Sequence, residues 1–375
     1  MSREADREWI VERAKAIGFD LCGIVRLDAQ KFSELANFSE WLERGYAGEM
    51  TYLLDPRRAE PLLVREDLRS VIVCALNYNT AHPYSTDAAA ELPQSGPPSG
   101  WISRYAWGDD YHQLLWGKLN ALAATLKERF PQRFAVRAYA DTGPVAERIF
   151  AKYAGLGWLG KNTLLLNETL GSWLFLGVIF TSLDLLRSLG PAETPRPDLC
   201  GNCRQCLDAC PTGALVEPYV LDARCCISYL TIELRGTIPE QFREAIGWQV
   251  YGCDICQDVC PYNRQAPVSH APEFQPRAFG QEPNECSLLR PSLPWLAQMD
   301  EQQFRDTFRN SAMKRTKWAG LVRNACIALG NAATPPHSPG RARIEKLLTQ
   351  LTQSEIPSIA ESADWALRRI QQEPE

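Results

Sequence analysis

The sequence predicts an α+β protein in three parts: a mixed α/β region, a cysteine-rich module and a helical tail. Three observations predict this division. Helical and strand patterns are mixed over residues 1–195, most of the 13 cysteines lie within residues 196–265, and residues 266–375 hold a proline-containing linker followed by helical periodicity. Because each part is long enough to contribute its own packed elements, we expect these to be the domain bounds.

The first part contains clear strand and helix signals. Arg69–Tyr78 is a β-branched apolar run that is typical of a buried strand, and Ser172–Ser182 is a second run of this kind. Tyr111–Arg129 has the period of an amphipathic helix. His82–Gly100 is rich in proline, serine and glycine and has no periodicity, so it is predicted to be a long surface loop.

Bulk composition limits the classes of function. The chain is 45% hydrophobic and 23% charged, which is typical of a globular protein. Its first residues lack the apolar core of a signal peptide, and the apolar run near Trp173–Phe180 is too short to span a bilayer. We therefore expect a cytoplasmic protein with no membrane partner, and nothing in the sequence demands more than a monomer. In that reducing compartment, clustered cysteines indicate metal binding or catalysis rather than disulfides.

The cysteines form two interleaved motifs. A complete C-x₂-C-x₂-C-x₃-C-P run, as in bacterial ferredoxins, is made by Cys200, Cys203, Cys206 and Cys210. In such a run three cysteines hold one 4Fe–4S cluster and the fourth holds another. The reciprocal run has only Cys253, Cys256 and Cys260, so one ligand must come from elsewhere, and Cys225 and Cys226 lie between the two runs.

We therefore predict two 4Fe–4S clusters. One takes Cys200, Cys203, Cys206 and Cys260, and the other takes Cys210, Cys226, Cys253 and Cys256, with Cys226 chosen over Cys225. A zinc site is the alternative, but zinc sites use paired C-x₂-C ligands and need neither the third cysteine nor a reciprocal copy. The remaining cysteines in apolar settings are predicted to be small buried hydrophobes: Cys22, Cys74, Cys286 and Cys326.

A glycine-rich run lies upstream of the cysteines. Gly155, Gly157 and Gly160 spell G-x-G-x-x-G, and Lys161 and Asn162 follow. A dinucleotide site would need a strand before this run and a helix after it, but the predicted order is the reverse. A P-loop would need serine or threonine at the position of Asn162. The glycines instead indicate a backbone that approaches something closely, such as a large planar cofactor, or that adopts positive φ.

Several motifs together resemble the epoxyqueuosine reductase family over essentially the whole chain. They are Ser103–His112, Asp141–Arg148, the glycine run, Gly171-Ser172 and the doubled cysteine motif, in this order. The family is cobalamin- and iron–sulfur-dependent, acts in tRNA queuosine biosynthesis and is related to reductive dehalogenases. The resemblance implies a nitroreductase-like α/β cobalamin-binding domain, a bacterial-ferredoxin-like two-cluster module and C-terminal HEAT-like helical repeats.

The resemblance also implies a reaction. Epoxyqueuosine at the wobble position of tRNA is reduced to queuosine, and the epoxide oxygen leaves as water. An external donor such as a ferredoxin or flavodoxin passes two electrons through the two clusters to cobalamin. Asp141 matches the proposed proton donor, because an epoxide oxygen leaves readily only when it is protonated. An acid near neutral pH needs a raised pKa, which burial beneath the cofactor would supply. The structural alternative is that Asp141 caps the following helix.

Cofactor contacts are likewise implied by the resemblance. Cobalamin is expected to contact Arg58, Ser103, Asp141, Leu165, Leu176, Ser228 and Tyr229. Lys161 is expected to pair with the phosphate of the cofactor or with tRNA. Ser103 occupies a position that is cysteine in some relatives, which argues against a required sulfur ligand to cobalt. His112 is interpreted as structural rather than as an axial ligand.

The tail carries a local excess of positive charge. Nine Lys or Arg lie between Gln303 and Lys346, against Asp306 and Glu345, in a chain of net charge −5. Such a surface attracts the phosphate backbone, so we expect the anticodon stem-loop to contact Lys314, Arg315, Lys317 and Arg323. A solvated helix face is the alternative. The target nucleotide must splay out of its loop to reach a buried cofactor.

Two short segments of the tail support a helical repeat. Asn324-Ala-Cys-Ile-Ala-Leu recurs loosely as Ser362-Ala-Asp-Trp-Ala-Leu, at a spacing close to that of a HEAT unit. Two unrelated amphipathic helices are the alternative.

Two other functions compete with the tRNA modification enzyme. A cobalamin-dependent reductive dehalogenase shares the cofactors, but those proteins typically carry an export signal and have no use for a basic helical tail. A non-catalytic ferredoxin-like electron carrier would leave the first 195 residues without a function.

Overall fold

A computed structural model describes residues 3–27, 32–90, 97–130, 132, 134–189, 195, 197–279, 287–332 and 334–372. Within these ranges the strands are β1 (Leu21–Arg26), β2 (Ser70–Asn77), β3 (Trp101–Ile102), β4 (Val136–Tyr139), β5 (Trp158–Leu159), β6 (Leu165–Leu166), β7 (Leu174–Thr181), β8 (Leu215–Glu217), β9 (Val220–Leu221) and β10 (Gln249–Tyr251).

The helices in the same ranges are α1 (Arg3–Ile17), α2 (Ser33–Glu43), α3 (Ser85–Ala90), α4 (Tyr111–Arg129), α5 (Glu147–Tyr153), α6 (Gln205–Asp208), α7 (Ile227–Ile232), α8 (Glu240–Ile246), α9 (Ile255–Asp258), α10 (Pro261–Arg264), α11 (Leu293–Gln298), α12 (Glu301–Thr307), α13 (Lys317–Asn331), α14 (Pro339–Leu351) and α15 (Pro357–Gln372). No helix in the described part of the chain is long and apolar enough to span a membrane.

The N-terminal part is built on a four-stranded antiparallel sheet in the order β1-β2-β7-β4. All eight residues of β2 are buried, because this central strand is covered on both faces. Ile72 and Cys74 face a core formed with α1 and α4, whereas Val71 and Val73 face a second core formed with α5. The continuous apolar run that predicted β2 therefore reflects burial on both sides of the sheet.

A third core joins the middle of the chain to its tail. The short strand β3 pairs in parallel with β10, and the side chains of Trp101 and Val250 are buried in the same cluster as Leu321 and Ile359. Because β3 lies before residue 195 and β10 after it, the packing crosses the predicted division between the first two parts.

The tail consists of α11 to α15, with α13 as its buried centre. α13 packs against α15 so closely that a Cβ at Gly330 would lie 2.8 Å from the Cα of Ala366. The two recurring segments, which begin at Asn324 and Ser362, lie on these two packed helices. Their helical character is confirmed, and a HEAT-like repeat stays a prediction.

Most of the predicted elements are confirmed. β2, β7 and α4 lie within the predicted segments, and α4 matches its segment at both ends. The prediction that His82–Gly100 is entirely a loop is wrong, because α3 forms within it. The backbone N–H of Ser85 donates to the carboxylate of Asp258 at 2.9 Å and holds the start of this helix. Residues 91–96 and Cys286 lie outside the described residues.

Candidate active site

Four of the predicted cluster ligands line one small cavity. Cys200, Cys203, Cys206 and Cys260 surround it, together with Lys161. Among the described residues no three His, Cys, Asp or Glu side chains converge tightly enough to hold a single metal ion. The four thiols nevertheless line the same cavity, as ligands of one cluster would.

The second predicted set lies deeper in the protein. Burial raises the pKa of the Cys226, Cys253 and Cys256 thiols, and their mutual proximity adds to the effect. Cys226 is among the groups that raise the pKa of Cys253. The pKa of Cys225 is also raised by burial, but next by the charge of Asp222. Cys226 thus lies near Cys253 and Cys256, but both Cys225 and Cys226 lie near Cys210, so the choice of Cys226 as the fourth ligand stays a prediction.

Lys161 fastens the loop that carries the first cysteines. Its side chain is 9% exposed, and its Nζ donates to the backbone oxygens of Gly201 at 2.5 Å and Cys203 at 2.9 Å. The expectation that Lys161 pairs with a cofactor phosphate or with tRNA is therefore wrong, because the ammonium group already lies among carbonyl oxygens inside the protein. The glycine run instead supports the cluster loop.

Asp254 fastens the second cysteine loop. Its buried carboxylate accepts hydrogen bonds from Ser103 Oγ at 2.5 Å, from the Arg104 backbone N–H at 2.8 Å and from Trp101 Nε1 at 3.3 Å. Ser103 is 3% exposed and its hydroxyl is committed to Asp254. The structure thus gives Ser103 a definite role in supporting the residue next to Cys253.

Backbone conformation and close packing within the protein explain why two positions of the run are glycine. Gly155 has φ of +82°, and a Cβ at Gly157 would lie 2.0 Å from the backbone oxygen of Leu166. The run follows α5 and leads into the β5–β6 hairpin. This is the reverse of the dinucleotide-binding order, as predicted. The glycines allow the hairpin to close against the cluster module.

Asp141 lies in a strained and accessible loop after β4. Its φ is +55°, in the left-handed region that non-glycine residues seldom occupy, and 68% of its side chain is exposed. The hydroxyl of Tyr111 donates to Asp141 Oδ2 at 2.6 Å. The structural alternative for Asp141 is wrong, because the residue that precedes α5 at its N-cap is Ala146. Asp141 is thus held towards solvent rather than used as a helix cap.

Two residues beside Asp141 were not assigned a chemical role from the sequence. His112 Nδ1 lies 2.6 Å from Asp110 Oδ1, and His112 Nε2 lies 3.9 Å from Asp141 Oδ2. The Tyr111 and His112 rings stack with centroids 4.0 Å apart. The sequence did contain one signal for these residues, an aspartate at the start of a predicted helix. Asp110 caps α4 by accepting from the His112 backbone N–H, and this places Tyr111 and His112 in the first turn of the helix.

Glu147 is a second carboxyl group near Asp141. Its Oε1 is buried without a hydrogen-bond partner among the described residues. Burial, and then the charge of Asp141, raises the pKa of Glu147 to about 8. The neighbouring Arg148 donates to the backbone oxygen of Thr163 at 2.5 Å and ties this helix to the glycine run. An unpartnered buried oxygen beside an exposed acid is typical of a site that is completed by a ligand.

The segment from Gly48 to Arg58 connects the residues predicted to hold cobalamin. At one end the hydroxyl of Tyr229 accepts from the Glu49 backbone N–H at 2.9 Å, and at the other Arg58 Nη1 donates to the Val145 backbone oxygen at 3.2 Å. Between them Leu54 is 62% exposed. An exposed apolar side chain flanked by polar groups suits the surface of a large, partly apolar cofactor.

The other predicted cobalamin contacts differ in accessibility. Leu176 and Ser228 are partly exposed. Leu165 is 3% exposed and belongs to the core on the α5 face of the sheet, so its side chain does not line an open surface. Arg58, Asp141, Leu176 and Ser228 are therefore the accessible side chains of the predicted set, and their contact with cobalamin stays a prediction.

The basic stretch of the tail divides into exposed and buried members. Lys314, Arg315 and Lys317 are exposed, and Arg315 also forms a paired contact with Glu233, with both N–O distances at 2.8 Å. Arg323 is fully buried. Its guanidinium group donates to the backbone oxygens of Leu230 at 2.7 Å, Leu234 at 2.9 Å and Gly236 at 2.5 Å.

The expectation that Arg323 contacts tRNA is therefore wrong. Its guanidinium group donates hydrogen bonds to carbonyl groups at and just after the end of α7 and does not face solvent. A count of charges along the sequence could not separate Arg323 from its exposed neighbours, because its partners are backbone atoms.

Comparison with known proteins identifies two matching family models. Residues 58–142 match the model described as epoxyqueuosine reductase QueG, DUF1730, and residues 199–263 match a 4Fe–4S double cluster binding domain. An epoxyqueuosine reductase of Gloeobacter violaceus is 44% identical over 328 residues, which cover 86% of this chain and 95% of that protein.

Solved structures agree with these matches. A crystal structure of epoxyqueuosine reductase with an epoxyqueuosine-modified tRNA-Tyr stem loop aligns with a TM-score of 0.83 at 30% identity, covering 98% of this chain and 91% of that one. A structure of the Bacillus subtilis enzyme aligns with a TM-score of 0.81 at 29% identity over the same shares of the two chains. In the latter structure the catalytic loop of that enzyme, which is named for an aspartate, is swung out of the active site.

Proposed function

The chain belongs to the epoxyqueuosine reductase family and is an oxidoreductase of queuosine biosynthesis, and from this we propose how its residues carry out the reaction. The substrate is epoxyqueuosine at the wobble position of tRNA. The epoxide takes up two electrons and two protons, its oxygen leaves as water, and an alkene remains. The chain must therefore deliver electrons to the epoxide carbons and protons to the epoxide oxygen.

One observation carries this proposal: an exposed aspartate in a strained backbone conformation is held by Tyr111 in a protein that also has two cysteine sets with ferredoxin spacing. Asp141 is 68% exposed and held by Tyr111, so a nucleotide that leaves the anticodon loop can reach its carboxyl group. Asp141 donates a proton to the epoxide oxygen as the carbon–oxygen bond breaks. The Bacillus subtilis relative, whose catalytic loop is named for an aspartate, supports this role.

Electrons enter at the outer cysteine set and leave from the inner one. Cys200, Cys203, Cys206 and Cys260 hold the cluster nearer the surface, and Cys210, Cys226, Cys253 and Cys256 hold the deeper one. An external donor such as a ferredoxin or flavodoxin docks beside the outer set. We assign the docking side to the outer set because its cysteines line a cavity that also includes the exposed side chain of Leu199.

Arg58, Leu176 and Ser228 would hold cobalamin beside Asp141 and the inner cysteine set. When bound, cobalamin supplies low-potential electrons to the substrate carbon. Bound cofactor and tRNA exclude water from Asp141, and this keeps its proton available for the epoxide oxygen.

The tRNA approaches over the exposed basic residues of the tail. Lys314, Arg315 and Lys317 contact its phosphate groups, and the affinity falls as salt is raised. A tRNA substrate and a low-potential reaction both suit a cytoplasmic enzyme that acts as a monomer.

Anaerobic reconstitution tests the proposal. Full-length protein is supplied with iron, sulfide and cobalamin, reduced with a chemical donor, and mixed with tRNA that carries epoxyqueuosine. Digestion and mass analysis should reveal queuosine in place of epoxyqueuosine. A Cys253→Ser variant is the control and should leave the epoxide intact. If protein with both cofactors demonstrably bound gives no queuosine, the proposed activity is wrong.

A further inference from the structure

We propose that His112, oriented by Asp110, is a proton relay that reprotonates Asp141 during each turnover, while the Tyr111 hydroxyl positions the Asp141 carboxylate. This inference rests on the proposed reduction of an epoxide, which consumes two protons. Asp141 holds one proton at a time, so a second group has to supply the other while the bound tRNA limits access from solvent.

The orientation of the His112 ring is determined on two sides. Nδ1 lies 2.6 Å from Asp110 Oδ1, and the ring face stacks on Tyr111 at 4.0 Å. These contacts turn Nε2 towards Asp141 Oδ2, 3.9 Å away. A histidine whose Nδ1 is bonded to a carboxylate presents Nε2 as its exchanging nitrogen. The geometry therefore aims the proton-carrying atom at the acid.

Charged groups from three parts of the chain face His112. The hydrogen bond from His112 lowers the pKa of Asp110, so Asp110 remains a carboxylate that stabilises an imidazolium ion. Asp141 supplies a second negative charge from the loop after β4. Lys314 is the cation that faces this group from the tail, with Nζ 3.8 Å from Asp110 Oδ2. The imidazole ring of His112 thus lies between two carboxyl groups, Asp110 at Nδ1 and Asp141 at Nε2.

Tyr111 cannot supply this proton itself. Burial, and then the charge of Asp141, raises the pKa of Tyr111 well above its ordinary value. Its hydroxyl therefore donates a hydrogen bond at 2.6 Å but retains its proton at neutral pH. Tyr111 is a positioning residue: it holds Asp141 Oδ2 beside His112.

The proton balance of the relay is simple. Asp141 gives its proton to the epoxide oxygen and becomes a carboxylate. His112 then transfers the Nε2 proton to that carboxylate, which leaves a neutral imidazole and a protonated Asp141 that completes the water molecule. The 3.9 Å separation exceeds a hydrogen bond by about 1 Å, a gap that a small movement of the strained loop closes. The His112 side chain is 24% exposed, so between turnovers solvent delivers two protons through it: one passes on to Asp141 and the second stays on His112.

Single-turnover rates test the relay in the reconstituted enzyme with saturating epoxyqueuosine tRNA between pH 5.5 and 9. His112→Gln keeps a polar side chain but cannot carry a proton, and we expect it to slow the reaction by roughly 10²-fold. It should also flatten the decline of the wild-type rate at high pH. His270→Gln replaces an exposed histidine away from this site and should match the wild type.

Chemical rescue separates a relay from a structural role. Added imidazole should restore much of the rate of His112→Ala, because the small base can occupy the vacated space and carry the proton. Binding of cobalamin and of tRNA should remain unchanged in both His112 variants.

A spectroscopic readout is independent of turnover. The chain has four histidines, so the side-chain ¹⁵N signals of labelled protein can be assigned by substitution. Asp141→Asn should shift the His112 Nε2 signal, and Asp110→Asn should shift Nδ1, with His270 unaffected.

The outcomes distinguish the two proposals. If the wild-type enzyme itself makes no queuosine, the proposed function is wrong. If the wild type is active and His112→Gln has the rate and pH profile of His270→Gln, the relay is wrong and the function stands. A slow His112→Ala variant that imidazole does not rescue and whose pH profile keeps its wild-type shape also overturns the relay, because that pattern indicates a purely structural role.

Discussion

The cysteine loops and the Asp141 loop are secured in opposite ways. The carboxylate of Asp254 accepts three hydrogen bonds beside Cys253, and Lys161 donates two to the loop of Cys200 and Cys203. Asp141 receives one side-chain hydrogen bond, from Tyr111, and has a left-handed backbone. The first region is held by several hydrogen bonds to buried side chains, whereas the second is exposed and strained.

The difference follows from what each region has to transfer. Electron transfer needs ligands that keep their positions in both oxidation states, so redundant hydrogen bonds are an advantage. A proton donor must approach an oxygen atom that arrives with each substrate and leaves as product, so a loop with few restraints is an advantage. The contrast predicts that substitutions near Asp141 change turnover, whereas substitutions near the cysteines change cofactor retention.

The largest expected effect is that of Asp141→Asn. The amide keeps the size and a hydrogen-bond acceptor for Tyr111 but cannot give up a proton, so turnover should fall by about 10²–10⁴-fold. Bound iron, bound cobalamin and affinity for tRNA should stay at wild-type values. Asp364→Asn, which changes an exposed aspartate on α15, should have no effect on turnover. Undiminished turnover in Asp141→Asn would refute its role as the acid.

Cys226→Ser should remove the inner cluster. The variant should retain about half of the wild-type iron, because the outer set does not use this residue. Cys225→Ser is a closely matched control, one residue away, and should keep the wild-type iron content. Measurement of iron and acid-labile sulfide per chain decides the assignment. The reverse pattern would show that Cys225 is the ligand.

Glu147 should make the stability of the protein depend on pH. Burial raises its pKa from 4.5 to about 8 on folding, so the folded state binds this proton more tightly than the unfolded chain. The contribution to stability is complete below pH 4.5 and is lost as pH rises through 8, at up to about 1.4 kcal/mol per unit. Glu147→Gln should flatten the curve.

Urea denaturation at pH 5.5, 6.5 and 7.5 measures this dependence. Glu240→Gln changes an exposed glutamate at the start of α8 and should leave the slope unchanged. If the wild type and Glu147→Gln have parallel curves, the carboxyl group is not protonated in the folded protein, and the electrostatic account of the Asp141 region needs revision.

The smallest expected effect is that of Lys161→Met. The variant loses the hydrogen bonds to the Gly201 and Cys203 carbonyls and should destabilise the outer cluster by about 1.5–3 kcal/mol. Iron should leave the protein faster in the presence of a chelator, while affinity for tRNA should not change. Lys346→Met, on an exposed part of α14, is the control. A loss of tRNA affinity in Lys161→Met would support the original expectation instead.

The parts of the site that could be predicted are those encoded by local spacing. The C-x₂-C spacings place thiols on one short loop, so the cysteine sets were apparent before any fold was known. β2 and α4 were predictable because one run is continuously apolar and the other is periodic. In each case, neighbouring residues in the sequence are sufficient to specify the structure.

The parts that could not be predicted depend on contacts between distant residues. Tyr111 and His112 approach Asp141 because α4 and the end of β4 meet, and no local pattern encodes that distance. Lys161 and Arg323 were expected to bind phosphate because their charge is visible in the sequence. Their partners are backbone carbonyl groups, which every residue has and no sequence pattern marks.

Arg323 also has a consequence for the order of events during biosynthesis. The carbonyl groups of Leu230, Leu234 and Gly236 follow Cys226 closely, yet the side chain that satisfies them comes from α13, nearly one hundred residues later. During translation, these carbonyl groups therefore lack their hydrogen-bond donor until α13 has emerged from the exit tunnel of the ribosome. Insertion of the inner cluster should accordingly follow translation of the tail, and chains truncated before α13 should fail to mature.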